Sequence, residues 1–174
     1  MTKALVTGGA GFIGSHLVDA LLDQGYEVVV LDDLSSGVKE NLDAAWNKHG
    51  ARLMLVIGSI CDVATVAAAM KGVQHVFHQA AKSLVPLSLD HPEMVTTVNV
   101  MGTLTVLQEA REAGVERVVY ASSASVYGDA IQEENGIPVG AVHEGRLPAP
   151  ISPYAASKLS AEYLCHTWTS CYGL

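Results

Sequence analysis

Positive charge is scarce in this chain: ten lysines and arginines face 18 aspartates and glutamates among 174 residues, for a net charge of -8. An acidic balance of that size suits neither a nucleic-acid backbone nor an anionic membrane, so neither is expected as a partner. Long apolar runs are missing too, since no stretch approaches the roughly 20 residues that a membrane helix needs. The chain opens on a strand rather than on a basic and then apolar leader, so no secretory signal is expected and the expected location is the cytoplasm. Cysteine is limited to Cys61, Cys165 and Cys171, an odd number without ligand spacing, which reads as reduced thiols. The seven histidines are scattered, and no metal site is assigned. Charged residues make up only 16% against 49% hydrophobic ones. That ratio fits sheet strands buried on both faces, in a chain long enough for one domain with a sizeable core.

What the sequence does have is a glycine-rich turn almost at its start, Thr7-Gly8-Gly9-Ala10-Gly11-Phe12-Ile13-Gly14. Lys3 to Thr7 before it reads as a buried strand, and Phe12, Ile13, Leu17, Leu21 and Leu22 after it recur at helical spacing. A strand running through glycines into a helix is the context of a dinucleotide-binding fingerprint. One glycine permits the tight turn, one lets the backbone approach a pyrophosphate, and one lets helix and strand pack closely. Amides at the helix start, with the positive end of its dipole, then face the phosphates. Two registers fit: Gly9, Gly11 and Gly14, or Gly8, Gly11 and Gly14. A second strand, Tyr26 to Leu31, ends in Asp32-Asp33, about 20 residues on, where an acid accepts from the adenosine ribose hydroxyls. Two acids there repel a 2'-phosphate and no arginine lies nearby, so NAD is expected over NADP.

Strand and helix then alternate along the chain. Leu34 to Gly37 forms a loop, with a helical patch after it through Trp46. Strands are expected at Arg52 to Ile57, Val73 to His78 and Glu116 to Ser122. Helices are expected at residues 62 to 71, at roughly 91 to 113 with Gly114 as its stop, and after Pro153 to about Cys171. A glycine- and proline-rich excursion occupies Gly128 to Pro153. The fold class is therefore α/β, a doubly wound parallel sheet of the Rossmann type with strand order 3-2-1-4-5.

Two stretches at the carboxyl ends of these strands carry chemistry. Ala121-Ser122-Ser123-Ala124-Ser125-Val126-Tyr127-Gly128 follows the fifth strand, and Tyr154-Ala155-Ala156-Ser157-Lys158 lies on the final helix. Tyrosine and lysine four apart share one face of a helix. An ammonium beside a phenol favours the phenolate, so the pair can exchange a proton with a substrate hydroxyl while hydride moves to or from a cofactor. Ser122 and Ser125 read as turn caps, Tyr127 as packing beside the cofactor, and Lys82 as a solvated or phosphate-facing loop residue. Glu133, Glu134, Glu144 and Arg146 read as a hydrated surface loop.

Together these motifs resemble the extended short-chain dehydrogenases/reductases, specifically the NAD-dependent sugar-nucleotide epimerase/dehydratase family, with UDP-glucose and UDP-N-acetylglucosamine 4-epimerases closest. The similarity runs along all 174 residues, through Thr7 to Leu17, Leu31 to Gly37, His78 to Ala81, Asn99 to Thr103, Ser122 to Gly128 and Ser152 to Lys158. The resemblance implies catalytic roles for Ser123, Tyr154 and Lys158. It implies NAD contacts from Gly8, Gly11, Phe12, Ile13, Gly14, Asp32, Asp33, Ser36, Gly37, Ser59, Ile60, Ala80, Ala81 and Asn99, as well as from Tyr154 and Lys158. It also implies a UDP-sugar substrate, a homodimer through two helices per subunit, and 4-epimerisation. A related nucleotide-sugar reductase or decarboxylase, or a non-catalytic NAD-binding module, stands as the alternative.

Departures from the family pattern bear on substrate. Ser59 stands where relatives usually carry Asp, and Ala124-Ser125 where the 4,6-dehydratases carry Asp-Glu, which counts against dehydration. Leu84-Val85-Pro86-Leu87-Ser88 replaces the Ser-Val-Pro-Arg-Ser of many 4-epimerases. The chain stops at Leu174, where the family enters its sixth strand and substrate domain. The whole of 1–174 is thus expected to be the NAD-binding portion, with the substrate domain absent.

Overall fold

The computed structural model describes residues 1–128 and 142–174, and between them the backbone pairing of Gln132–Glu134 with Ile137–Val139. Five parallel strands form one sheet: β1 (Lys3–Thr7), β2 (Glu27–Asp32), β3 (Leu53–Ile57), β4 (His75–His78) and β5 (Arg117–Tyr120), in the order β3-β2-β1-β4-β5. That is the expected order. β1 and β2, at the centre, are buried on both faces, and their alternate side chains feed two separate cores. Leu5, Val29 and Leu31 pack with Val66, Met70 and Val106 on one side. Ala4, Val6, Val28 and Val30 pack with Val18, Leu22 and Leu42 on the other. Each such side chain gains about 1.5–3 kcal/mol on full burial, which explains the unbroken apolar runs.

Helices α1 (Phe12–Asp23), α2 (Asp43–His49) and α3 (Val63–Ala69) fill the first crossovers. Asp62 caps α3 by accepting from the Ala64 and Thr65 amides, which sets its start one residue inside the expected range. In α1 the inward residues are Gly14, Ser15, Val18, Leu21 and Leu22. Phe12 and Ile13, grouped with the core face by spacing alone, are instead 80% and 67% exposed. They form the first turn of α1, at its exposed N-terminal end.

The expected single helix over 91–113 is a composite. α4 (Val85–Asp90) precedes it, breaks at His91, and gives way to α5 (Pro92–Thr96), a π turn (Thr97–Met101) and α6 (Gly102–Glu112). Pro92 at the first position of α5 permits the fresh start. Gly114 follows α6 in the left-handed region, as expected of its stop signal. The fifth strand ends at Tyr120, two residues early, because Ser123 opens a 3-10 turn (Ala124–Tyr127). α7 (Pro153–Tyr172), capped by the Ser152 hydroxyl on the Ala155 amide, packs on α4, α5, the π turn and α6. Within the excursion, Gln132–Glu134 (β6) pairs antiparallel with Ile137–Val139 (β7). The side chains of Glu133 and Glu134 lie outside the described residues, and Glu144 is exposed.

Candidate active site

Strand register decides what meets at the carboxyl edge. Thr7 pairs with both Leu31 and His78, Asp32 with Ile57, and His78 with Tyr120. The residues that leave the five strands therefore surround one cavity of about 330 Å³. Of the expected site residues, Gly8, Gly11, Phe12, Ile13, Gly14, Asp32, Asp33, Ser36, Ser59, Ile60, Ala80, Ala81, Tyr154 and Lys158 line it. Gly37, Asn99 and Ser123 do not.

The glycines sort themselves by what a Cβ would meet. Gly8 has φ +70, and a Cβ on it would lie 2.7 Å from the Ala80 nitrogen. On Gly14 it would lie 2.1 Å from the Gly8 oxygen, so α1 rests directly on the turn. Gly9 would strike the Val30 side chain at 2.8 Å, facing the core rather than the cavity. Gly11 is different, because its φ of -77 suits any residue and its only near neighbour would be the Gly8 oxygen at 3.3 Å. What a side chain at Gly11 would fill is the cavity. The lining register is thus Gly8, Gly11 and Gly14. α1 begins there with no side-chain cap, leaving its first-turn amides for a ligand. Gly37 lies beneath this turn, where a Cβ would meet the Ala10 carbonyl at 2.7–2.8 Å.

Asp32 is buried and accepts from the Ala10 amide at 2.9 Å and from the Leu34 amide at 2.9 Å. It ties the glycine turn to its own loop, and each oxygen keeps a second lone pair for a hydroxyl. Leu34 takes φ 54, an arrangement that costs a branched residue about 1–2 kcal/mol and is offset here by that bond and by apolar packing. Burial acts to raise the Asp33 carboxyl, but hydrogen bonds from Ser35 and the Lys82 ammonium outweigh it and hold it below its ordinary value. Lys82 reaches Asp33 at 3.4 Å and also bonds the Ser35 hydroxyl. It is therefore not a solvated loop residue: with 18% of its side chain exposed, it bridges the β4 and β2 loops at the cavity. The Ser59 hydroxyl accepts from the Cys61 amide at 3.1 Å and retains acceptor capacity toward the cavity.

A buried polar chain stands behind these loops. Thr103 donates to the Asn99 carbonyl at 2.6 Å, so it can only accept from His78 Nε2 at 2.9 Å. The imidazole proton then sits on Nε2, and Nδ1 accepts from the Thr7 hydroxyl at 2.6 Å. Thr7 in turn accepts from the Ala80 amide at 3.3 Å. Burial, aided by the charge of Lys158, pushes His78 down to about 3, which keeps it neutral. Asn99 spends its whole amide on structure: the oxygen takes the Lys82 N–H at 2.8 Å, and the nitrogen gives to the Lys82 carbonyl at 3.1 Å and to Ser157 at 2.9 Å. The π turn that carries Asn99 is what brings it to both loop and helix.

Tyr154 and Lys158 face the cavity from α7 and are 9% and 4% exposed. Burial pushes the Lys158 ammonium down to about 8, partly opposed by Cys165 and Glu162. Ser122 lines the wall beside them, whereas the Ser123 hydroxyl is turned to Ser125, 2.7 Å from its Oγ and 3.2 Å from its amide. Leu31, Ser35, Gly58, Gln79, Ser83, Val98, Ala121 and Ser122 line the cavity without standing among the expected contacts, and Lys82, expected as a solvated or phosphate-facing residue, lines it too. Position one or two residues beyond a strand end was the signal available for Gly58, Gln79, Ala121 and Ser122.

Comparison with known proteins agrees with this geometry. Residues 4–174 match the NAD dependent epimerase/dehydratase family. A UDP-glucose 4-epimerase of Mycolicibacterium smegmatis is 42% identical over 175 residues, covering 99% of this chain and 53% of that protein. The UDP-glucose 4-epimerase of Thermotoga maritima, solved with UDP-glucose, superposes with a TM-score of 0.87 at 35% identity, over 99% of this chain and 53% of that one. The dTDP-glucose 4,6-dehydratase DesIV of Streptomyces venezuelae, solved with NAD, gives 0.88 at 41% identity, over 99% and 53%. The chain thus spans about half the length of the relatives it matches.

Proposed function

The chain belongs to the NAD dependent epimerase/dehydratase family, and from that premise we propose that it forms the cofactor cleft and proton-transfer pair of a UDP-sugar 4-epimerase. One observation carries the reading: the glycine turn, the acid pair and Tyr154 with Lys158 line a single cavity. NAD fits that cavity on the evidence of Gly11, where a Cβ would meet one atom of the fold, the Gly8 oxygen at 3.3 Å, and the missing side chain leaves space for a ligand. Gly11, Phe12, Ile13 and Gly14 would hold the pyrophosphate at the uncapped helix start, and Asp32 and Asp33 the adenosine ribose.

When bound, NAD supplies a reversible hydride acceptor. The phenolate of Tyr154 would take the proton of the sugar 4-hydroxyl as the C4 hydride leaves to the cofactor, and would return it as the hydride comes back to the opposite face of the turned keto sugar. Lys158, one helical turn away, supports the phenolate electrostatically. Ser122 or Ser123 is the hydroxyl available to the same substrate oxygen, with Ser122 already at the wall.

Dehydration is the competing chemistry, since the similar DesIV performs it. Elimination needs a further acid and base beside the sugar. Ala124 and Ser125 occupy the positions concerned, and the only carboxylates lining the cavity among the described residues, Asp32 and Asp33, stand on the β2 side of the sheet. That favours epimerisation. Among the described residues no helix is long and apolar enough to cross a membrane. The location we propose is the cytoplasm, in keeping with the reading of the three cysteines as reduced thiols. The face made by α5, the π turn and α7 exposes Met94, Met101 and Tyr163, which suits the homodimer we propose there.

The test is incubation with NAD and UDP-glucose, reading C4 inversion by NMR. Tyr154→Phe is expected to cut any turnover by about 100-fold or more while NAD still binds. Retained turnover in that variant contradicts the assignment, and NAD binding without any inversion in the unmodified chain leaves a cofactor-binding module.

A further inference from the structure

Lys158 is a cation at the floor of the cleft with 4% of its surface exposed. The contact that defines its ammonium lies on β5, where the Tyr120 ring centroid is 4.5 Å from Nζ. Tyr120 is the last residue of the strand and pairs in register with His78. The Tyr120 ring also leans on the His78 imidazole, with centroids 5.6 Å apart and planes at 44°. Its own hydroxyl is buried without a hydrogen-bond partner among the described residues. A phenol whose oxygen is orphaned has its use elsewhere, and here the ring presents its face to a desolvated ammonium. In that setting a cation–π contact is at its strongest.

The groups packed around Lys158 support this. Along α7 they are Tyr154 on the preceding turn, and Glu162 and Cys165 beyond. From the sheet they are His78 and Tyr120. Burial holds the Cys165 thiol up at about 11, so it is neutral at pH 7, as is His78. The Glu162 carboxylate is then the one full opposite charge in that group.

We propose that Tyr120 is a positioning residue whose ring face holds the Lys158 ammonium at the cleft floor, its hydroxyl taking no part. The role rests on the reading of Lys158 as a contact of the cofactor and of Tyr154. A phenylalanine at this position serves equally well, and an aliphatic residue of similar bulk does not.

The chain labelled with 13C-lysine tests this without any turnover. Protons on a carbon above a ring face are shifted upfield, so the ε-methylene signal of Lys158, assigned by its loss in Lys158→Met, should stand upfield of the other lysines. Tyr120→Phe should keep that position, and Tyr120→Leu should lose it. Titration should show the Lys158 pKa falling by about 1 in Tyr120→Leu, because the contact favours the charged form. Calorimetry should find NAD bound roughly three- to tenfold more weakly by Tyr120→Leu, with Tyr120→Phe unchanged. An unshifted Lys158 signal in the unmodified chain overturns the proposal even if Tyr120→Leu does not fold, as does a Tyr120→Phe variant that behaves like Tyr120→Leu. Failure of the unmodified chain to bind NAD, with the upfield signal present, overturns instead the cofactor reading on which the role rests.

Discussion

The two ends of the cleft are built by different means. At the β1–β2 end the shape comes from backbone: Gly8, Gly14 and Gly37 are where they are because a single added carbon would sit 2.1–2.8 Å from a neighbouring main-chain atom. At the β4–β5 end it comes from side chains, with Asn99, His78, Thr103 and Ser157 bonding across four elements to set the Lys82 loop and the Tyr154 helix. The first kind of construction rests on close backbone approach and tolerates nothing larger than glycine. The second is dispersed, and its parts are ordinary residues with ordinary alternatives.

The largest effect should come from breaking the backbone end. Gly14→Ala places a Cβ against the Gly8 carbonyl, and neither atom belongs to a flexible side chain. We expect a loss of about 4 kcal/mol or more, an exceptional value for adding one carbon, measured by urea unfolding. Stability within about 1 kcal/mol of the unmodified chain contradicts the contact as drawn.

That contrast also explains what the sequence could disclose. The glycine turn, the acids 32 and 33, the strand order and the Tyr154–Lys158 pair were legible, because each is fixed by spacing along the chain. The π turn was not, since Asn99 bonds a loop and a helix 17 and 58 residues away, and neither was α4, where among the described residues the Ser88 hydroxyl finds the Val85 carbonyl at 2.7 Å. Lys82 reads from sequence as a solvated or phosphate-facing loop cation because Asp33, its partner, lies 49 residues away. Ser122 and Ser123 share one composition, and only the turn at Ala124 decides which faces the cavity. The choice between glycine registers needed the distances to Val30 and Ala80.

At the side-chain end, Asn99→Ala should cost about 2–3 kcal/mol, because it leaves the Lys82 N–H and C=O without their partner, while the Ser157 hydroxyl loses a donor but still gives its proton to the Tyr154 carbonyl. NAD affinity should fall with it. Thermal unfolding and calorimetry on one sample measure both, and an unchanged melting temperature would show that water replaces the amide at no cost.

A dependence on pH marks the side-chain end, in the acid range and in the alkaline range. His78 is held down at about 3 against an ordinary 6.5, so below pH 6.5 the unfolded chain binds a proton that the folded one refuses. Stability is therefore lost progressively as pH falls from 6.5 toward 3. Lys158, pushed down to about 8 from 10.5, works in the alkaline range: the folded chain releases its proton first, and stability rises as pH climbs from about 8 to 10.5. His78→Gln should flatten the acid limb and Lys158→Met the alkaline one. An acid limb unchanged in His78→Gln would assign that loss to carboxylates instead.

The most direct measurement is calorimetric titration of NAD and NADP into the chain and into Gly11→Val. The Gly11 φ of -77 is open to a valine, whose Cβ would press on the Gly8 oxygen at 3.3 Å and whose bulk would take up room at the cavity wall. The account predicts saturable NAD binding, weaker NADP binding, and loss of NAD binding in a Gly11→Val protein that melts like the unmodified chain. NAD bound equally well by folded Gly11→Val, or not bound at all by the folded unmodified chain, would contradict it.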